Sequence, residues 1–301
     1  MVNIRDLKVR IKAVGNIRQI TRAMEMVATT KLRRFQTRAE ASGPYTNEIE
    51  RLVKSLAAGV GGGEGSELFE VREKIKSVGV LVIGSDRGLC GAYNTNALIA
   101  HRQWEKTQAG REIKRYVIGK KAMGYFARRK LEVAAYFDDP ILEVMGYRDA
   151  ARLSDFFVKE FVEGRIDEMY VVYSAFKSMT RYVPTVFKFL PLGQIEAGAG
   201  DGAEGSAAAS EQKAAGDLLL LPSPEVIFSQ LVPKYLEARM FNALLESLTS
   251  EYASRRVSMK NATDAASDMV GDLKRVYNRA RQERITKELL EIVGGAEAVS
   301  G

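Results

Sequence analysis

The run from Lys234 to Val293 contains no proline and repeats apolar or small residues three and four positions apart. Ala238, Phe241, Leu245, Leu248 and Tyr252 are followed by Met259, Ala262, Ala266, Met269, Leu273, Val276 and Ala280, with Arg255 interrupting the rhythm. This is the spacing of a coiled-coil seam. At 1.5 Å per residue, about 60 residues make a helix roughly 90 Å long, far longer than an ordinary domain is wide. Such a helix needs a second long helix to lie against. The sequence offers one, from Asn3 to about Leu56, weakened near Gly43 and Pro44. Its stripe starts at Ile4, Leu7, Ile11 and Val14, runs one residue out of phase through Ile17, Ile20, Met24 and Val27, and returns to the first frame at Leu32 and Phe35. A slip of that kind changes supercoil winding locally.

Between the two helices the pattern changes. A glycine-rich break spans Gly59 to Gly65. Strands are then predicted at 78–83, 116–118, 133–137, 169–173 and 183–190, with helices at 92–106, 122–129 and 148–162. Alternation of this kind implies a mostly parallel sheet covered by helices. The run 193–216 is built of Gly, Ala, Ser and acidic residues and cannot bury enough apolar surface to order itself. Ser223 and Pro224 form a helix start, and Pro233 is expected to kink or restart that helix. The predicted fold class is therefore α/β plus a long antiparallel coiled coil. N- and C-terminal helices (1–58 and 223–301) would form a shaft, a central Rossmann-like body (66–196) a foot, and 197–217 a low-complexity loop.

Composition narrows the chemistry. One cysteine, Cys90, and one histidine, His101, leave no internal disulfide and nearly exclude the usual Cys–His metal and catalytic sites. No apolar run approaches the ~20 residues of a membrane span. The first residues lack the apolar core of a secretory signal, and the helical periodicity continues past any transit-like segment. The net charge of +7 is set by the first forty residues, which carry ten Lys or Arg against three acids. A long basic helix calls for an acidic partner, whether nucleic acid, lipid or protein. Two rival readings follow: a basic coiled-coil adaptor that binds nucleic acid, and a nucleotide-binding α/β enzyme with helical arms.

Candidate sites are few. Ser85 to Gly91 lies between a strand and a helix, where an α/β fold would hold a phosphate. It matches neither G-x-G-x-x-G nor a Walker A motif, so a turn with an exposed Arg87 is the preferred reading. Gly119-Lys120-Lys121 lacks the upstream glycine of a P-loop, and Asp138-Asp139-Pro140 lacks further metal ligands. From Val276 to Val293, polar and apolar residues occur on every side of the helix. That suggests a helix enclosed by a partner; the plainer reading is an end tied by ion pairs such as Glu283–Lys287.

Three stretches together resemble a known family. They are Ile17 to Arg33, Ser85 to Gly91, and the C-terminal pair Met259 to Ala266 and Tyr277 to Val293. In order, and across nearly the whole chain, they are similar to the gamma subunit of bacterial F-type ATP synthases. The resemblance implies a non-catalytic rotor with no cofactor, turning inside three alpha and three beta subunits. It implies further contacts with the epsilon subunit and the c-ring, no transmembrane span of its own, no nucleic acid, and a place on the cytoplasmic side of the plasma membrane. By motif, Arg281 and Gln282 with Thr286 would catch beta-subunit loops. Met24, Lys31, Arg34 and Arg87 would face an acidic segment of beta. Ile285, Leu289, Ile292 and Val293 would turn in an apolar collar, and Leu218 and Leu220 would lie near the c-ring. The run 197–216 has no counterpart in that family, and a lone Cys90 cannot supply the thiol pair of chloroplast members.

Overall fold

In the computed structural model, residues 4–59, 68–192 and 224–300 are described. Leu218, Leu220, the run 197–216 and most of the glycine-rich break lie outside them. The element order is α1 (Ile4–Gly59), β1 (Ser77–Ile83), α2 (Tyr93–Thr107), β2 (Glu112–Ile118), α3 (Lys120–Arg128), β3 (Ala135–Phe137), α4 (Tyr147–Val162), β4 (Glu168–Phe176), β5 (Tyr182–Leu190) and α5 (Pro224–Ser300). The chain divides into two compact units. Unit 1 comprises residues 1–31 with 252–301, and unit 2 comprises 32–251.

Unit 2 is built on a five-stranded sheet of order β3-β2-β1-β4-β5. β1 pairs in parallel with β2 and β4, β2 in parallel with β3, and only β5 runs antiparallel, against β4. β1 sits at the centre and is buried along its whole length, as expected of a parallel strand covered on both faces. On one face Val78, Val80 and Val82 pack with Trp104 of α2 and Ala122 and Phe126 of α3. Elsewhere in the sheet, Tyr116 of β2 meets Phe157 of α4 edge-on, at 5.1 Å between ring centres. Two strands, β2 and β4, exceed their predicted bounds by more than one residue. β2 begins at Glu112 because its charged residues find partners, Arg111 beside it reaching Glu168 and Arg115 reaching Glu105. β4 extends to Phe176 through its full antiparallel register with β5.

Neither internal proline ends its helix. Pro44 lies inside α1 and Pro233 inside α5; of the kink or restart expected at Pro233, the restart does not occur. Phe228, Val232, Leu236 and Met240 form a stripe at four-residue spacing across Pro233, each less than 5% exposed. Burial of that stripe outweighs the one hydrogen bond a proline removes.

In unit 1 the two helices pair antiparallel. Thr263 donates its hydroxyl to Thr21 Oγ1 at 2.9 Å. Ten residues further along α1, Lys31 Nζ donates to the Tyr252 hydroxyl at 3.5 Å, eleven residues back along α5. The seam, however, does not slip. Ile17, Ile20, Met24 and Val27 are 52, 54, 41 and 55% exposed. The half-buried or buried positions include Ile4, Leu7, Ile11, Val14, Thr21, Glu25 and Ala28, a three-four repeat save for the exposed Arg18, and along α1 beyond unit 1 the same frame runs on through buried Leu32 and Phe35. On α5 the repeat is Met259, Thr263, Ala266, Val270, Leu273, Tyr277 and Ala280. Met269 and Val276, both expected in the seam, are 54% and 46% exposed. Thr21, the acceptor of the Thr263 hydroxyl, in turn donates to the Arg18 carbonyl at 3.1 Å, so a polar pair holds the register where apolar residues were expected.

Candidate functional site: two exposed helix faces and a closed crevice

The apolar residues excluded from the seam define the first feature. On α1, Ile17, Ile20, Met24 and Val27 face outward. On α5, Ile285, Leu289, Ile292 and Val293 are 48, 57, 68 and 60% exposed, with Leu290 beside them at 67%. Large apolar side chains grouped in the open mark interaction surface.

Charged residues on the same helix separate into those that are spent and those that are not. Arg279 pairs with Glu283 at 3.2 Å, Arg284 with Glu288 at 2.7 Å and Lys287 with Glu291 at 3.6 Å. The expected Glu283–Lys287 pair is replaced by these neighbours, each also four residues apart. Arg281 joins none of them among the described residues. The reason is in the sequence, since its helical neighbours three and four away are Tyr277, Asn278, Arg284 and Ile285, with no carboxylate. Gln282 and Thr286 are exposed beside it. Arg34 is exposed with the same lack of acids, flanked at those spacings by Thr30, Lys31, Thr37 and Arg38. Lys31 is half-buried, its ammonium 5.5 Å from the centre of the Tyr252 ring.

The second feature is the region where a doubly wound sheet would bind a nucleotide: the carboxyl ends of β1 and β4, where the strand order reverses. Here that space is filled by the chain itself. Tyr93, at the start of α2, hydrogen-bonds Ser247 of α5 at 2.6 Å, and Ser250 of α5 donates to the Ser174 carbonyl of β4 at 2.9 Å. Burial pushes the Glu246 carboxyl above its ordinary range, while the Phe176 N–H, the Tyr173 hydroxyl and the Asn242 amide act to hold it down.

The loop after β1 is also spent on internal bonds. Gly84 N–H donates to the Ile118 carbonyl at 2.8 Å, Ser85 N–H to Asn94 Oδ1 at 2.9 Å, and Lys121 N–H to the Ser85 carbonyl at 2.9 Å. Gly119 has φ +94°, and a Cβ there would sit 2.2 Å from the Gly84 carbonyl oxygen. Only glycine allows the two loops to close on each other. Asn94 also donates to Cys90 Sγ at 3.2 Å, burying the thiol. Arg87 is carried outward on this closed turn, its own carbonyl accepting from the Ser85 hydroxyl at 2.8 Å. The arrangement presents a side chain; it does not cradle a phosphate.

Ile285, Leu289, Ile292 and Val293, expected from the sequence to lie within a collar, stand exposed on α5. Sequence reasoning missed Thr21, Thr263 and Tyr277, because a count of apolar residues alone passes over a threonine pair and a half-polar tyrosine, and Val270, because its apolar neighbour Met269 was taken in its place.

The ATP synthase family profile matches residues 3–299. The chain belongs to the ATP synthase gamma-chain family. The ATP synthase gamma chain of Syntrophobacter fumaroxidans is 36% identical over 301 residues, covering 99% of each chain. That of Moorella thermoacetica is 38% identical over 303 residues, covering 99% of this chain and 100% of its own. Among solved structures, a chain of the Euglena gracilis mitochondrial ATP synthase, in an assembly of OSCP, F1 and c-ring, matches with TM-score 0.65 at 20% identity, covering 98% of this chain and 94% of its own. The gamma chain is the non-catalytic central-stalk rotor subunit of ATP synthase, and the nucleic-acid adaptor finds no support in these relatives. Among the described residues no helix is long and apolar enough to cross a membrane.

Proposed function

We propose that the paired helices of unit 1 transmit torque from a proton-driven c-ring to three beta subunits, inside a ring of three alpha and three beta subunits. The epsilon subunit would complete the rotor, on the cytoplasmic side of a bacterial plasma membrane. The observation that carries this reading is the outward display of large apolar residues on both helices of a pair whose own seam is satisfied without them. A helix pair of that kind is built to be surrounded.

In this reading Ile285, Leu289, Ile292 and Val293 turn within an apolar collar, where non-directional contacts resist rotation least. Arg281, with Gln282 and Thr286, reaches beta-subunit loops, having no carboxylate of its own helix to hold it. Met24, Lys31, Arg34 and Arg87 face acidic beta-subunit segments, and Leu218 and Leu220 meet the c-ring. Exposed ion pairs of roughly 0–1 kcal/mol each suit contacts that must break and re-form at every step.

The test is Arg281→Glu in the assembled complex. Losing a charge-assisted hydrogen bond and adding repulsion is expected to lower the ATP synthesis rate about tenfold at fixed proton-motive force. Thermal unfolding of the isolated chain should not change, because Arg281 takes part in no ion pair among the described residues. Unchanged synthesis would remove Arg281 from the contact.

A further inference from the structure

We infer that the cavity enclosed by α1, α4 and the first part of α5 is a binding site for a small, uncharged aromatic molecule that carries a hydrogen-bond acceptor. The cavity lies wholly within unit 2. Its volume is about 520 Å³, a size typical of small-molecule sites. Tyr45 and Thr46 of α1, Tyr147 at the start of α4, and Ala238 and Phe241 of α5 line it. Tyr45 is 51% exposed and forms the open side. The turn of α1 that carries these residues is a weak one. Pro44 has no N–H to give the carbonyl four residues back, and a Cβ at Gly43 would meet nothing within 4 Å. Side chains support the helix here instead, the Ser42 hydroxyl donating to the Ala39 carbonyl and the Thr46 hydroxyl to the Ser42 carbonyl, both at 3.1 Å.

The class of ligand follows from which groups are already spent. Lys234 Nζ, at the edge of the cavity, donates to both carboxylate oxygens of Glu237, at 2.8 and 3.0 Å. That pair is neutral, so it offers an ion no net charge to bind. The Ser42 and Thr46 protons are given to the backbone. Tyr147 is different: its hydroxyl oxygen is buried and makes no hydrogen bond among the described residues. Its ring stands edge-on to Phe241, 5.5 Å between centres, which fixes where the hydroxyl sits. Burial pushes its pKa up, and nearby Glu237 and Tyr45 act in the same direction, so it stays a protonated donor. A buried hydroxyl without a partner is costly, and an acceptor brought by a ligand removes that cost. Three aromatic walls favour a flat ring in offset or edge contact. An acyl chain would leave the Tyr147 hydroxyl unpaired, and a phosphate or carboxylate would meet the Glu237 carboxylate. An occupant touching all three helices would also brace α1 at the turn that Pro44 weakens.

This inference concerns unit 2 alone and holds whether or not the helix pair turns inside a ring. The test is a titration of the full chain followed by saturation-transfer nuclear magnetic resonance. The probe is acetophenone, compared with ethylbenzene, which lacks the acceptor, and with benzylamine and benzoate, which carry charge. Acetophenone should bind with a Kd on the order of 1 mM, and the other three about fivefold more weakly or worse. Tyr147→Phe removes only the donor. It should weaken acetophenone about fivefold and leave ethylbenzene unchanged. Ser42→Phe fills the cavity from its rim and should abolish binding of both. Hydrogen exchange of the peptide spanning 38–48 should slow when acetophenone is added, which places the probe at this turn. Unaltered thermal unfolding shows that the variants fold, and if Ser42→Phe does not, the isosteric Tyr147→Phe decides alone. No saturable binding of acetophenone, equal binding of all four probes, or binding indifferent to Tyr147→Phe would each overturn the proposal.

Discussion

The seam of unit 1 and the sheet core of unit 2 bury their residues by different means. Around β1 the core side chains are large, branched or aromatic, and Phe126, Phe157 and Tyr116 are at most 2% exposed. Between α1 and α5 in unit 1 buried Leu7, Met259 and Val270 alternate with small or polar positions: Ala28, Ala266, Thr21 with Thr263, and a half-buried Glu25. Other large apolar residues of the same helices, among them Ile17, Ile20, Ile285 and Leu289, point outward. A sheet core gains its stability from area removed from water, at about 25 cal/mol per Å². A two-helix seam interrupted by alanines and threonines removes less, but it lets the backbones approach closely and holds one register. The comparison teaches that unit 2 encloses its largest side chains in a sheet core, whereas unit 1 leaves several of its own in the open.

The most direct way to break this contrast is truncation in each region. Phe126→Ala, at a residue fully buried between α3 and the sheet, should cost about 3–5 kcal/mol, read as a shift of the denaturant midpoint. A loss below about 1 kcal/mol would mean that the sheet core is no more tightly packed than the seam.

Acid should separate the two units next. The only histidine, His101, is 1% exposed on α2, in edge contact with Phe126 at 5.2 Å. Burial pushes its pKa down to about 4, with nearby Glu105 acting in the opposite direction and Arg115 in the same one. In the unfolded chain the imidazole takes a proton near pH 6.5. A group whose pKa is depressed by folding stabilises fully above the unfolded value and loses that contribution as the pH falls toward the folded one. The native state should therefore lose up to about 3 kcal/mol between pH 6.5 and 4 through this residue. His101→Leu should flatten the pH dependence of the denaturant midpoint across that window; equal slopes in both proteins would show that the imidazole is not held neutral. Unit 1 has no histidine, so this source of acid lability is confined to unit 2.

The legibility of the sequence follows the same division. The strands of unit 2 were readable because runs such as Val78 to Ile83 must be buried on both faces, and an apolar run bounded by turn residues has few other uses. The antiparallel pairing was readable from length alone, since no other element could cover so long a helix. The phase of the seam was not. Ile17, Ile20, Met24 and Val27 repeat at seam spacing because they serve a second surface, and periodicity does not say which of two stripes faces which neighbour. The continuity of α5 through Pro233 was not readable for a related reason: local propensity counts the lost hydrogen bond, but the burial of Phe228, Val232, Leu236 and Met240 lies in tertiary structure. The closed crevice was half legible. Ser85 to Gly91 lacked a phosphate-binding signature, yet nothing local showed that Ser247 and Ser250, more than 150 residues later, occupy the space beside it.

The smallest expected effect is also the sharpest test of which stripe is the seam. Val270 is 7% exposed and Val276 is 46% exposed, and both lie on α5 far from either end of the described helix. Val270→Ala removes buried methyl groups and should cost about 1 kcal/mol. Val276→Ala removes exposed ones, and alanine's better helix propensity, worth about 0.5 kcal/mol, should leave stability unchanged or slightly raised. Thermal unfolding followed by far-ultraviolet circular dichroism on the full chain reads both. The ranking is reversed if the stripe through Met269 and Val276 faces α1, because truncation then opens a gap at position 276 and none at 270. In that case the outward residues of α1 would also change roles, and the separation between a self-satisfied seam and a partner-facing surface would fail on both helices at once.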